Sequence, residues 1–215
     1  MLYQRQAQSI TGRKNNMPRT IRTKVYKFNE LSDKAKQVAI NWYRDAQSDI
    51  NPLEEMCFDE WCKDKATEKG FDNITVSYSL SCSQDDGLSF SGDMDIMRFL
   101  KEANPNVSLK RLSIISNYIA FKLKPNNRRY CHASKGDVDI YLDYNRREHP
   151  NVENIVNRTI CHVEVVYMAL CKELERDGYQ WIDDADSDET IIETIEANEY
   201  EFYVTGVNFN PTKIG

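Results

Sequence analysis

The strongest periodicity in the chain lies between Val152 and Leu174. Val152, Ile155, Val156, Ile160, Val163, Tyr167, Leu170, Cys171 and Leu174 recur at three- and four-residue intervals, the apolar stripe of an amphipathic helix. The spacing predicts a long helix from about Pro150 to Arg176, with Gly178 as its stop. A second helix opens at Ser32, an N-cap preceded by Leu31 and followed by Asp33 in the first turn. Ala35, Val38, Ala39, Trp42, Tyr43 and Ala46 continue it at helical spacing, and its aromatic pair reads as core. Pro52 suits the first turn of a further helix, with Leu53, Met56, Cys57 and Trp61 on its apolar side and Gly70 at its end. Ser187 or Asp188 caps a last helix through Ile191, Ile192 and Ile195.

Elsewhere the period falls to two. Ile74, Val76, Tyr78, Leu80 and Cys82 alternate with polar residues, the pattern of a half-buried strand. Ser83 to Gly87 forms a turn, and Leu88 and Phe90 return as the second arm of a hairpin. A short extended piece is expected over Lys24–Phe28. Gly92-Asp93 is expected to open a short helix through Met94, Met97 and Leu100, ended by Asn104-Pro105. Residues 107–116 fit helix or strand. Asn117 to Leu123, Arg128 to Ala133, and Val138, Ile140 and Leu142, separated by turns at 125–127 and 134–137, read as an antiparallel meander. Phe202, Val204 and Val207 suggest a closing strand. The fold class is therefore α+β: a hairpin and meander packed against several helices, one of them long. Residues 1–22 have no periodicity and read as a flexible basic arm, leaving 23–215 as one domain. Met17 is a plausible alternative start.

Composition fits that picture. With 40% hydrophobic and 29% charged residues, the 215-residue chain is globular and long enough to bury a core without staples. No stretch approaches a membrane span, and the N-terminus lacks the apolar region of a secretory signal, so a cytoplasmic protein is expected. In such a compartment the six cysteines are expected to be free thiols.

Charge is unevenly spread. The net charge is -6, yet residues 1–24 hold six basic residues and no acid. Between Glu173 and Glu201 twelve acids face one base, Arg176. Such a field repels a nucleic-acid backbone and attracts a basic surface. The plainer reading is a solvated face that keeps the chain soluble.

Candidate chemistry is sparse. No Gly-rich phosphate loop or nucleophile elbow occurs, and no Cys-x-x-Cys. Cys131-His132 and Cys161-His162 offer zinc-ligand types, but neighbouring residues point apart on both strand and helix, so no metal is assigned. Asp184-x-Asp186-x-Asp188 imitates a calcium loop but has Glu189 where glycine belongs and Ile195 where glutamate belongs. Asp85-Asp86-Gly87, with Asp93 and Asp95, is a second acidic cluster; its Asp-Gly step is ordinary hairpin chemistry, with a weak metal or partner-binding role as the alternative. No catalytic residue and no cofactor are expected.

Several stretches resemble a loosely defined family of small, mostly uncharacterised phage and prophage proteins, sometimes labelled antitoxin-like. They are Tyr26 to Lys36 through Trp42-Tyr43-Arg44, the Ser83–Phe90 hairpin, Tyr130-Cys131-His132, and Ile195 to Phe202. The family pattern has Gly where Asp85 stands. The resemblance implies a phage origin and a bacterial host cell, and it transfers no catalytic residue.

Two functional expectations follow. The first is a phage-encoded interaction protein that inhibits a host defence or nucleic-acid-handling complex, of anti-CRISPR or anti-restriction type. Its acids Asp183, Asp184, Asp186, Asp188 and Glu189 would enter a basic groove, with Trp181 and Tyr179 as anchors. The alternative is a nucleic-acid-binding accessory protein using Lys110, Arg111, Lys122, Lys124, Arg128, Arg129 and Tyr130, a basic and aromatic cluster suited to single strands. A homo-oligomer is compatible with either; a membrane partner is not expected.

Overall fold

The computed structural model describes residues 22–81, 86–119, 122–125, 131, 138–140 and 152–210. Among the described residues its main sheet has four antiparallel strands in chain order: β2 (Phe71–Ser79), β3 (Gly87–Met94), β4 (Leu123–Pro125) and β5 (Val138–Ile140). The first two form the expected hairpin, with Val76 opposite Phe90 and Tyr78 opposite Leu88. β4 pairs with β3 at Leu123 and directly with β5, Leu123 opposite Ile140 and Pro125 opposite Val138, whereas Asn117 and Tyr118, expected to begin a strand, form the turn after the preceding helix.

Against this sheet lie α2 (Pro52–Glu55), α3 (Phe58–Glu68), α4 (Ile96–Ala103), α5 (Leu109–Ser116) and α6 (Glu153–Ala185). At 1.5 Å rise per residue, α6 is about 50 Å long and runs past both β3 and α4. Phe71, Phe90, Phe99 and Tyr167 meet at the centre of this core, all at or below 1% exposure. The Tyr167 hydroxyl donates to the Phe90 carbonyl (3.1 Å) and accepts from its N–H (3.3 Å), so no polar atom of the phenol is stranded.

A second, smaller hydrophobic cluster joins the two ends of the described chain. It holds β1 (Tyr26–Lys27), a 3-10 turn over Phe28–Glu30, α1 (Asp33–Ala46), α7 (Asp188–Ala197) and β6 (Glu201–Phe202). β1 pairs antiparallel with β6, and Phe28, Ala39, Ile195 and Phe202 are buried between α1 and α7. Trp42 packs edge-on against Phe202 and Tyr200, as a core aromatic.

The α+β class stands, and local differences have physical causes. The helix expected from Pro52 to Gly70 breaks in two: Cys57 takes a left-handed conformation (φ 55°) and divides α2 from α3. Gly70 does end the second piece, at φ +94°. Asp93 belongs to β3, and it is Asp95 that caps α4 through Arg98 N–H (3.1 Å). Residues 109–116 are helical, capped by Ser108. Val38, Val204 and Val207 are exposed. The largest difference is Gly178, which does not stop α6 and lies buried inside it. A Cβ there would collide with Leu80 Cδ1 and stand 2.9 Å from Phe58 Cζ. The glycine lets α6 approach α3 and Leu80, just past the end of β2, closely. Asp183 and Asp184, expected in a loop, are therefore helical.

Outside the described residues fall the arm over 1–22 apart from Arg22, the turns at 83–85 and 134–137, and most of the 128–133 strand.

Candidate interaction surface

The last two turns of α6 have two opposite characters. On one side Trp181 packs against Phe58 (5.3 Å between centroids) and Trp61 (5.2 Å), and the Tyr179 hydroxyl donates to Asp86 Oδ2 (2.9 Å). Both expected anchors are half-buried and face α3 and the hairpin. On the other side Gln180, Asp183 and Asp184 are exposed, with Gln180 Nε2 donating to Asp184 Oδ1 (2.8 Å).

Ser187 then starts α7. Its hydroxyl accepts from the Thr190 N–H (3.2 Å), the cap anticipated from sequence. Asp188 and Glu189 fall in the first turn of α7, where the helix dipole favours negative charge. Asp183, Asp184, Asp186, Asp188 and Glu189 are all exposed, brought together by the tight α6–α7 connection.

Arg44 of α1 reaches into this cluster. Its Nε donates to Asp186 Oδ1 (2.8 Å), and its Nη2 donates to the Asp186 carbonyl (2.9 Å) and to Asp188 Oδ1 (2.9 Å). The hydrogen bonds to Asp188 and Asp186 push the guanidinium pKa further up. Two of the five carboxylates are thus paired, leaving Asp183, Asp184 and Glu189 as the open charges of the group. Sequence reasoning did not single out Arg44 as their partner, because nothing local links residues 142 apart.

Beside the cluster a groove of about 530 Å³ opens between the ends of α1, α2, α6 and α7. Tyr43, Ile50, Met56, Ile182 and Ile191 give it apolar walls, and Glu55 and Asp186 stand on its rim. Ile50 and Met56, 48% and 47% exposed, both open onto it.

The hairpin end holds a buried carboxylate. Asp86 is 7% exposed and accepts from Ser81 N–H (2.6 Å), Ser79 Oγ (3.0 Å), Ser81 Oγ (3.1 Å) and Tyr179. It ties the hairpin to α6. Its charge, after burial, also raises the pKa of the half-buried Cys131 thiol. His132 and His149 lie outside the described residues. Cys161 is exposed on α6, while His162 stands 3.3 Å from Glu102. Burial pushes Glu102 up, but hydrogen bonds from Arg98 and His162 outweigh it and hold this carboxyl below its usual range. Among the described residues, no group of three or more His, Cys, Asp or Glu is arranged to hold a metal ion. No described helix is long and apolar enough to cross a membrane.

Of the alternative basic cluster, Lys110 and Arg111 lie in the first turn of α5, and Lys122 and Lys124 bracket Leu123 at β4; all four are exposed. Arg128, Arg129 and Tyr130 lie outside the described residues.

No family model matches the chain, and neither does a curated protein or a solved structure.

Proposed function

We propose that this chain is an interaction protein that offers the α6–α7 carboxylates to a basic groove on a partner. The partner class is a nucleic-acid-handling protein or ribonucleoprotein whose groove otherwise holds a phosphate backbone, and the chain acts as its phage-encoded inhibitor. The observation that carries the reading is the display of Asp183, Asp184 and Glu189 at the meeting of two packed helices. Trp181, Tyr179 and Gly178 fix α6 beneath them, and Arg44 fixes the turn. Charges held on a rigid scaffold lose little entropy on docking, and opposite potentials speed the encounter. Tyr179 and Trp181 support the surface from inside, so the carboxylates carry the contact.

The test uses the full chain and the triple variant D183N/D184N/E189Q as baits in host lysate at low and high salt. Wild type is expected to retain a basic nucleic-acid-binding protein at low salt, release it at high salt, and release it to added nucleic acid. The variant is expected to retain little. Equal retention by the variant, or retention insensitive to salt, overturns the reading.

A further inference from the structure

We propose that the apolar groove between α1, α2, α6 and α7 receives α5 of a second copy of this chain. The proposal does not depend on a foreign partner.

One face of α5 stays open in the single chain. Leu112 and Ile115 are buried against the body, so one side of this short helix is spent. Ile114 faces away from them at 52% exposure, with Lys110 one turn before it. Lys110 and Arg111 sit in the first helical turn, where the positive end of the helix dipole disfavours cations. Ile114 and the two cations together form an apolar knob flanked by positive charge that one chain leaves open to solvent. An apolar, acidic surface complements both features.

The groove is such a surface. Ile50 and Met56 stand open at its mouth, Ile182 and Ile191 line it, and Glu55 and Asp186 supply carboxylates at the rim. Arg44, which also lines it, is shared between Asp186 and Asp188, so these three together still carry one net negative charge beside that of Glu55. An apolar anchor flanked by cations thus meets an apolar floor flanked by anions, on the same chain. Because plug and socket are different surfaces, each chain can give one and take one. A single helix face in a groove of this size makes a small interface, so association is weak and concentration-dependent. The charged rim makes it weaken further as salt rises.

Sedimentation velocity on the full chain at rising concentration and low salt tests this. Wild type is expected to climb above the 25.1 kDa of one chain. Ile114→Glu removes the plug and Ile50→Lys blocks the socket. Both positions are exposed, so the fold is retained, and circular dichroism checks this. Each variant alone is expected to stay at single-chain mass. Their equimolar mixture restores a pair, because one intact plug meets one intact socket. The D183N/D184N/E189Q variant, expected to lose the foreign basic partner, is expected to self-associate like wild type, so the two readings fail separately. Single-chain mass for wild type at every concentration overturns the proposal. So does a mixture that fails to pair. Association that survives Ile114→Glu but not Ile50→Lys gives the groove to another occupant and overturns α5 as the plug.

Discussion

Gly178 lies directly under Phe58, and a Cβ built on the glycine would stand 2.9 Å from Phe58 Cζ. That contact sets the closest approach of α6 to α3 and lets the helix run on to Ala185, carrying the acidic residues with it. Gly178→Ala provides a test with a clear sign. Helix propensity alone would make the alanine more stable by about 1 kcal/mol. Overpacking costs typically 1–3 kcal/mol, and the clash is with a wholly buried ring and with Leu80. Net destabilisation is expected by urea unfolding. A stabilised variant would mean that the approach is looser than described.

Arg44 holds the α6–α7 turn from across the chain. Its ion pairs are solvent-exposed, so their loss in Arg44→Gln is expected to cost only about 1 kcal/mol or less, read as a small fall in melting temperature that shrinks in high salt. The same change frees the Asp186 and Asp188 carboxylates. Association with a basic partner is therefore expected to speed up at low salt, measured by stopped-flow. An unchanged or slower rate would argue that the order of the turn matters more than its charge.

Tyr179→Phe separates an internal support from an external anchor. The hydroxyl bonded to the buried Asp86 carboxylate is lost, and a destabilisation of about 1–3 kcal/mol is expected from denaturant unfolding. Partner affinity, once the variant is folded, is expected to stay near wild type. A large loss of affinity with unchanged stability would make Tyr179 a contact residue instead.

The cysteines divide by burial. Burial, the dominant cause, pushes the Cys62 and Cys171 thiols up to about 12, while Cys57 and Cys161 are exposed. Alkylation of the native protein, followed by peptide mass analysis, is expected at Cys57 and Cys161 first. Labelling of Cys62 and Cys171 waits for unfolding. The linkage runs one way: the folded chain keeps protons that the unfolded chain releases above the ordinary thiol pKa of about 8.5. Stability from this source is complete below that value and drains away as pH rises towards about 12. A melting temperature that is level or rising across this range would contradict it.

Much of the fold was legible in sequence because it rests on local patterns. The apolar stripe from Val152 to Leu174 buried as its period required, Ser32 and Ser187 capped their helices, and the alternating Val76 and Tyr78 paired with Phe90 and Leu88. The acidic composition of residues 183–189 was equally plain. Gly178 was misread because a glycine after a stripe has the same sequence appearance whether it ends a helix or admits a neighbour. The break at Cys57 was invisible for a similar reason: nothing about a cysteine marks it for the left-handed region that it takes here.

The sequence by itself determined the fold class, the long helix and the sign of the charged block, since those follow from side-chain periodicity and ionisation within a short window. The tertiary structure alone decided that Arg44 pairs with two of those acids, that Tyr179 and Trp181 turn inward, and that Ile50, Met56, Ile182 and Ile191 share one groove. Each of these joins residues far apart in the chain, and the energy that selects such neighbours comes from burying whole surfaces together, which no local pattern encodes.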